Sequence, residues 1–310
     1  MKVQIQKKRA LWEERNQGGF SEDDRVLREI KAKVEEMLLI QAREREEYNR
    51  KLQEYIEMIS MQRPLEPLLK NILRYFCSIP SDCKQIAQIR NHIKTKQDQF
   101  YEHWKMAHQQ IIALGVKMIA PEMIVATHSY SMIVVDILTA AQKQNIRFEV
   151  CLTEGRPYNE GKNAAQELAS KQIPVTYYID SAMRQAIKRA DIVLLGATAM
   201  TQSGQIIATV GSELAAMIAH QYQVPVYIAM HSWKLDSSLS FGFDATKEKK
   251  FRETVWNNPP KGVTIASFGS EIIDPTLISA VISEVGVYPP NRFVIKAFEE
   301  YPWMRTRQHN

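Results

Sequence analysis

Three short stretches of this sequence carry residues able to do chemistry. The first, Ala126-Thr127-His128-Ser129-Tyr130-Ser131, sets an imidazole among hydroxyls. An unperturbed histidine titrates near neutrality, so His128 suits acid–base work; its other reading is a hydrogen-bonded histidine at a strand end. Ser129 as a nucleophile would need a base and an oxyanion hole, and neither is identifiable nearby in the sequence. The second stretch is Thr153-Glu154-Gly155-Arg156-Pro157-Tyr158-Asn159-Glu160-Gly161. A guanidinium at a strand end, just ahead of a helix, fits a phosphate. Equally, Arg156 can pair with Glu154 or Glu160 and brace the loop. The third stretch joins Gly196-Ala197-Thr198, Ser203-Gly204 and Val210-Gly211-Ser212-Glu213. Glycine lets backbone amides approach a ligand, and Ser212 ahead of a helix marks either an anion site or an ordinary cap.

Other chemistries are missing. No Gly-x-Gly-x-x-Gly turn follows the first expected strand and no Walker A sequence occurs, so no nucleotide of those kinds and no cofactor is expected. Cys77, Cys83 and Cys151 are too few for a disulfide framework and match no zinc spacing. They read as bland thiols in a reducing compartment.

The elements that must position these stretches begin near residue 118. From there, short apolar runs at 123–126, 148–152, 175–179, 192–195, 226–230 and 263–266 alternate with amphipathic segments at 131–144, 161–170, 181–189 and 213–221. Buried strands alternating with helices predict a parallel, Rossmann-like sheet covered on both faces. Right-handed crossovers then gather the strand-to-helix loops at one edge, where ligands bind in such folds. His128, Glu154, Arg156, Asp180, Gly196 and Thr198 all fall at those strand ends.

Residues 1–117 read as a helical domain and 118–310 as an α/β domain. A single helix is expected over 23–62, with Val26, Ile30, Val34, Met37, Leu38, Tyr48, Leu52, Tyr55, Ile56 and Ile59 at helical spacing. Ser21 and Asp24 form a capping-box-like start, and Arg63-Pro64 with Glu66-Pro67 ends the helix. Packing within its own domain is the default for this stripe; a coiled coil with a partner is the alternative. Two more helices are expected, over 68–77 and 83–115, the second with a break allowed.

Composition bounds the rest. The 310 residues are 45% apolar and 24% charged, which excludes wholesale disorder and a collagen-like fibre. Net charge is +5, mild for a genome-binding protein, and the excess lies within 61–120, with 9 basic against 4 acidic residues. That surface fits an acidic partner, an RNA or a solvated helical face. The first residues lack the apolar core of a signal peptide, and no membrane-length apolar run occurs, so the expected location is the cytoplasm.

Taken in order, these motifs resemble one superfamily. They are Thr-His-x-x-Ser (127–131), Thr-Glu-x-Arg-Pro-x-x-x-Gly (153–161), Ile-Pro-Val-Thr (173–176), Asp-Ser-Ala (180–182), Ala-Asp-x-Val-x-x-Gly-Ala (190–197) and Val-Gly-Ser (210–212), closed by Ile273–Ile278 and Ser283–Val287. The superfamily holds the alpha, beta and delta regulatory subunits of eukaryotic translation initiation factor 2B. It also holds aldose–ketose isomerases acting on ribose 1,5-bisphosphate and methylthioribose 1-phosphate. The resemblance implies that Arg156, Gly161, Asp180, Gly196 and Gly211 stand where the family cradles a sugar phosphate, with His128, Ser129, Ser131, Glu154, Thr198 and Ser212 lining the same pocket.

The departures bear on activity. Where the isomerases carry a catalytic cysteine this chain has Ser129, and where they carry a catalytic aspartate it has Thr198. Ala208-Thr209 replaces the family's Asn-Lys. A hydroxyl is a far poorer acid than a thiol, and threonine is no substitute for a carboxylate base. The resemblance therefore implies a regulatory subunit of the alpha or delta kind. It would assemble through its C-terminal domain with its own copies or with exchange-factor subunits, meet initiation factor 2, and bind a phosphorylated metabolite. The rivals are an isomerase with His128 or Asp180 as base, and a stand-alone sugar-phosphate-binding protein.

Overall fold

A computed structural model describes residues 22–62, 67–237, 255–256 and 258–305. The helical part opens with α1 (Glu22–Leu39) and α2 (Arg45–Gln62), followed by α3 (Pro67–Phe76) and α4 (Ile86–Val116). The single helix expected over 23–62 is thus two helices. Val26, Ile30, Val34 and Met37 on α1 and Tyr48, Leu52, Ile56 and Ile59 on α2 are all buried in the chain's own core, which is the packing expected of the stripe. The chain reverses between α1 and α2 because polar groups take over the backbone. Glu47 accepts from the Arg43 amide at 2.9 Å, the Tyr48 hydroxyl donates to the Met37 carbonyl at 2.9 Å, and Lys51 donates to the Gln41 carbonyl at 2.7 Å. Each satisfies a group that a continuing helix would have paired internally. The helix expected over 83–115 runs unbroken as α4, entered through a box in which Gln88 accepts from the Gln85 amide at 3.0 Å. The proposed cap at Ser21 lies outside the described residues.

The α/β part is built on a seven-stranded sheet, order β11-β10-β7-β4-β1-β2-β3. Its strands are β1 (Met123–His128), β2 (Phe148–Thr153), β3 (Val175–Tyr178), β4 (Ile192–Gly196), β7 (Val226–Ala229), β10 (Ala280–Ser283) and β11 (Gly286–Tyr288). All pair in parallel except β11, which runs antiparallel to β10. Crossover helices are α5 (Met132–Lys143), α6 (Gly161–Ser170), α7 (Met183–Lys188) and α8 (Ser212–Gln221); α9 (Pro290–Glu300) follows β11. The strand order reverses between β1 and β4, so the crevice at their carboxyl ends is the natural ligand position. The Rossmann-like fold read from the sequence is the observed one.

Two features differ from expectation. Residues 263–266 form no strand: the place beside β7 is taken by β10, and Val263 is exposed. A second sheet, order β8-β5-β6-β9, also appears, built from β5 (Ala199–Thr201), β6 (Ile206–Thr209), β8 (Leu235–Asp236) and β9 (Ser270–Ile273). It fixes the loops after β4 and β7 and places β9 next to the start of α8.

The helices α1–α4 and the sheet share one continuous apolar core, running from Val26 through Phe76 and Phe100 to Trp233, Phe293 and Met304. Polar ties reinforce the junction. Asn71 of α3 donates to the carbonyls of Trp233 and Leu235, each at 2.8 Å, and Lys70 pairs with buried Asp236 at 3.2 Å. The basic excess of 61–120 is partly consumed this way: Arg90 donates to the Ile40 carbonyl and lies over the Tyr48 ring, and Lys96 lies over Tyr75. Among the described residues, no helix is long and apolar enough to cross a membrane.

Candidate functional site

The carboxyl ends of β1, β2, β3 and β4 converge on one network. His128 ends β1 with its side chain buried. Its Nε2 lies 2.8 Å from the Val210 carbonyl, which only accepts, so Nε2 carries the hydrogen. Nδ1 of the neutral ring then accepts from the Thr153 hydroxyl at 2.6 Å. Burial lowers the His128 pKa, against the opposing pull of the Val210 carbonyl and of Asp180, whose carboxylate lies 3.7 Å from Nδ1. Both ring nitrogens are engaged and the ring stays neutral. The arrangement is that of a brace, and it leaves no free base.

Asp180, after β3, holds the second stretch. Its carboxylate accepts from the Gly155 amide at 3.0 Å and the Arg156 amide at 2.7 Å. Glu154 faces back toward the Asp180 amide at 3.4 Å. Gly155 has a φ of +74°, and a Cβ there would meet the Ser129 hydroxyl at 2.6 Å, so only glycine fits. The Ser129 side chain, on a backbone with φ of +58°, is buried with no hydrogen-bond partner among the described residues. Arg156 is exposed and forms an ion pair with neither Glu154 nor Glu160. Asp180 braces this loop through the backbone, and Arg156 has no ion pair among the described residues. Gly161 opens α6, its amide bonded to the Glu154 carbonyl at 3.0 Å.

The third stretch is also answered from within the chain. Gly211, with φ of +100°, starts α8 directly under the His128 ring, and Ser212 behind it is buried. The amides of Gly211, Glu213 and Leu214 point at the carboxylate of Glu271 on β9. Burial raises the Glu271 pKa and these amides oppose it. The anion at this helix start is a side chain of the protein itself. Sequence reasoning missed Glu271; the visible signal was one carboxylate inside the short apolar segment Ser270–Ile273. Gly196 ends β4 in close contact with Ser131, which precedes α5. Thr198 lies just before β5, its amide donating to the Ile207 carbonyl at 2.9 Å. The structure therefore gathers His128, Ser129, Glu154, Arg156, Asp180, Gly211 and Ser212, sets Ser131 and Gly196 beside them, and ties Thr198 into the β4–β5 turn.

Open volume is scarce there. The cavity under His128, lined by Ala126, Thr153, Met183 and Val193, holds about 10 Å³. Small-molecule pockets usually span about 300–1,000 Å³. A cleft of about 640 Å³ lies elsewhere, between the β5–β6 turn and α9, lined by Ser203, Ser237, Asn291, Val294, Phe298 and Arg305. Its walls adjoin chain outside the described residues and carry no clustered acid, base or amide array, so the strand ends remain the candidate site. Among the described residues, no cluster of His, Cys, Asp and Glu suits a metal.

A second cluster lies farther along the same sheet edge, and of it the sequence reading saw only His231 and Ser232 as a polar strand end and the stretch from Ser232 to Leu235. At the carboxyl end of β7, His231 stacks on Trp104 of α4 with ring centroids 3.7 Å apart. His108 of α4 reaches His231 at 3.3 Å and Asp136 of α5 at 2.8 Å. Trp233 is enclosed by Tyr75, Phe100, His103, Tyr301 and Trp303. The cluster draws on five distant segments, none of which forms a motif alone.

The model of the initiation factor 2 subunit family matches residues 21–290. A ribose 1,5-bisphosphate isomerase of Pyrococcus furiosus is 30% identical over 294 residues, 89% of each chain. The crystal structure of the translation initiation factor eIF-2B of Pyrococcus horikoshii OT3 superposes with a TM-score of 0.76 at 21% identity, covering 92% of this chain and 97% of that one. A chain of the tetrameric eIF2B-beta2-delta2 complex from C. thermophilum gives 0.73 at 17% identity, covering 97% and 95%. At these identities the two structures share the fold with this chain.

Proposed function

The chain belongs to the initiation factor 2 subunit family, and from that premise we propose that it is a non-catalytic, regulatory member. It acts in translation initiation as one subunit of an oligomer and reads a phosphorylated small molecule through Arg156. The observation that carries the reading is the state of the strand-end groups. His128 has both nitrogens engaged, Asp180 is spent on the Gly155 and Arg156 amides, and Glu271 fills the start of α8. Among the described residues these groups leave no free acid–base pair, and by the resemblance Ser129 and Thr198 stand where the isomerases carry a cysteine and an aspartate. The exposed guanidinium of Arg156, with no ion-pair partner among the described residues, supports binding without turnover. Oligomer formation rests on the fold shared with the C. thermophilum tetramer; the partners, contact through the C-terminal α/β part, initiation factor 2 as a target and the cytoplasmic location are part of the proposal.

The isomerase reading is favoured by the Pyrococcus furiosus relative, so the test is aimed at it. Purified protein is incubated with ribose 1,5-bisphosphate and with methylthioribose 1-phosphate, and ketose formation is followed by NMR. No product, together with a thermal shift by one of these phosphates, supports the proposal; turnover of either sugar overturns it. Co-purification with initiation factor 2 or exchange-factor subunits tests the partner half separately.

A further inference from the structure

The contact between His108 and His231 lies outside the candidate site but is wired to it. Asp136 accepts from His108 Nε2 at 2.8 Å, because a carboxylate at neutral pH can only accept. Nδ1 of neutral His108 is then the acceptor, and His231 Nε2 donates to it across 3.3 Å. The chain of bonds runs from Asp136 on α5, through His108 on α4, to His231 beyond β7. Three residues later Lys234 donates to the Ala197 carbonyl at 2.9 Å, inside the turn that holds Gly196 and Thr198.

We propose that the His108–His231 contact is a pH-sensitive latch that fastens α4 to the carboxyl edge of the sheet while the pair carries at most one proton and releases it when both rings are protonated. One added proton is tolerated, because one ring can still donate across the contact while the other accepts. A second proton leaves two N–H donors facing each other at 3.3 Å. The surroundings are hostile to that second charge. From α4, His103 and His108 face His231; from its own turn, Lys234 does. Asp136 is one bond away, behind His108, and Glu284 at the end of β10 is occupied with Ser232, whose amide it accepts at 3.1 Å. Tyr301 is occupied with His103 at 3.2 Å. Burial first, then His108, Lys234 and His103, holds the His231 pKa well below the ordinary histidine value. The sign follows: the unfolded or released ring takes up its proton near pH ~6.5 while the fastened ring resists, so the fastened state loses stability as pH falls below about 6.5.

The test is hydrogen exchange of α4 peptides between about pH 7.5 and pH 4.5, corrected for intrinsic rates, with the histidine rings followed by NMR. The expected result is a loss of roughly tenfold or more in α4 protection as pH falls, with the slope of about one proton, while α6 peptides hold theirs. In His108→Gln the amide can still donate to Asp136 and accept from His231, so the fold is retained and the loss moves to lower pH. Flat α4 protection across the range, an identical profile in His108→Gln, or a His231 ring that titrates near about pH 6.5 in the folded protein would each overturn the latch.

Discussion

Two regions on one sheet edge are held in different ways. At β1–β3 the contacts are backbone amides answered by carboxylates: Asp180 on Gly155 and Arg156, Glu271 on the start of α8. At β7 and β10 the contacts are aromatic side chains from α3, α4, the 231–234 turn and the 301–303 segment, packed stacked, tilted or edge to face. The first region depends on main-chain conformation, with positive φ at Ser129, Gly155 and Gly211. The second depends on the volume of large rings. A region of the first kind stores little stability and presents polar groups to ligands; one of the second kind stores much and presents almost none.

The contrast is sharpened most by Trp233→Ala. This ring is 2% exposed and touches Tyr75, Phe100, His103, Tyr301 and Trp303. Its removal is expected to cost about 4 kcal/mol of unfolding free energy, read by urea titration. A cost near that of a surface substitution would mean the seam carries no more than the candidate site does. Gly211→Ala comes next. The residue combines a φ of +100° with a Cβ position 2.6 Å from His128 Nε2, so backbone strain and overpacking add. About 2–3 kcal/mol is expected, together with displacement of His128 visible as a changed ring tautomer by NMR.

The same contrast explains what the sequence disclosed. Glycines and strand-end polar residues sit within a few positions of one another, so His128, Glu154, Arg156, Asp180 and Gly211 could be named from the sequence as candidates, and the fold brings them to one place. The seam joins His108 to His231, 123 positions apart, and periodicity cannot see such a pair. Periodicity also hid the α1–α2 break. Met37 and Tyr48 are eleven positions apart, close to three helical turns, so the apolar stripe stays in phase across the reversal. Gln41 and Glu44, polar where the stripe would continue, were its only sign. The second sheet was illegible because its strands span two to four residues, too short for alternation to register.

A smaller effect tests the first region from within. Asp180→Ala removes two charge-assisted hydrogen bonds from a partly exposed carboxylate, an expected loss of about 1–2 kcal/mol. It also empties the amide pair at Gly155 and Arg156, which becomes an anion site. Inorganic phosphate is therefore expected to raise the melting temperature of this variant more than that of the unmodified protein. An equal response in both would mean that Asp180 does not occupy a place an anion can use.

The smallest expected change in stability is the most telling about function. Arg156 is exposed, and its guanidinium has no partner among the described residues. Arg156→Ala should therefore shift the unfolding free energy by no more than about 0.5 kcal/mol. A side chain that long, kept at a strand end over a loop whose amides are already capped, contributes nothing to the fold that alanine would not. If it serves a phosphate, a ligand present at ~100 times its dissociation constant adds about 2.7 kcal/mol to the unmodified protein, and the variant should lose most of that increment. The unliganded stabilities would match and the liganded ones would diverge. Divergence in the absence of ligand would instead reveal a structural role, and with it a first region that resembles the second more closely than its hydrogen bonds indicate.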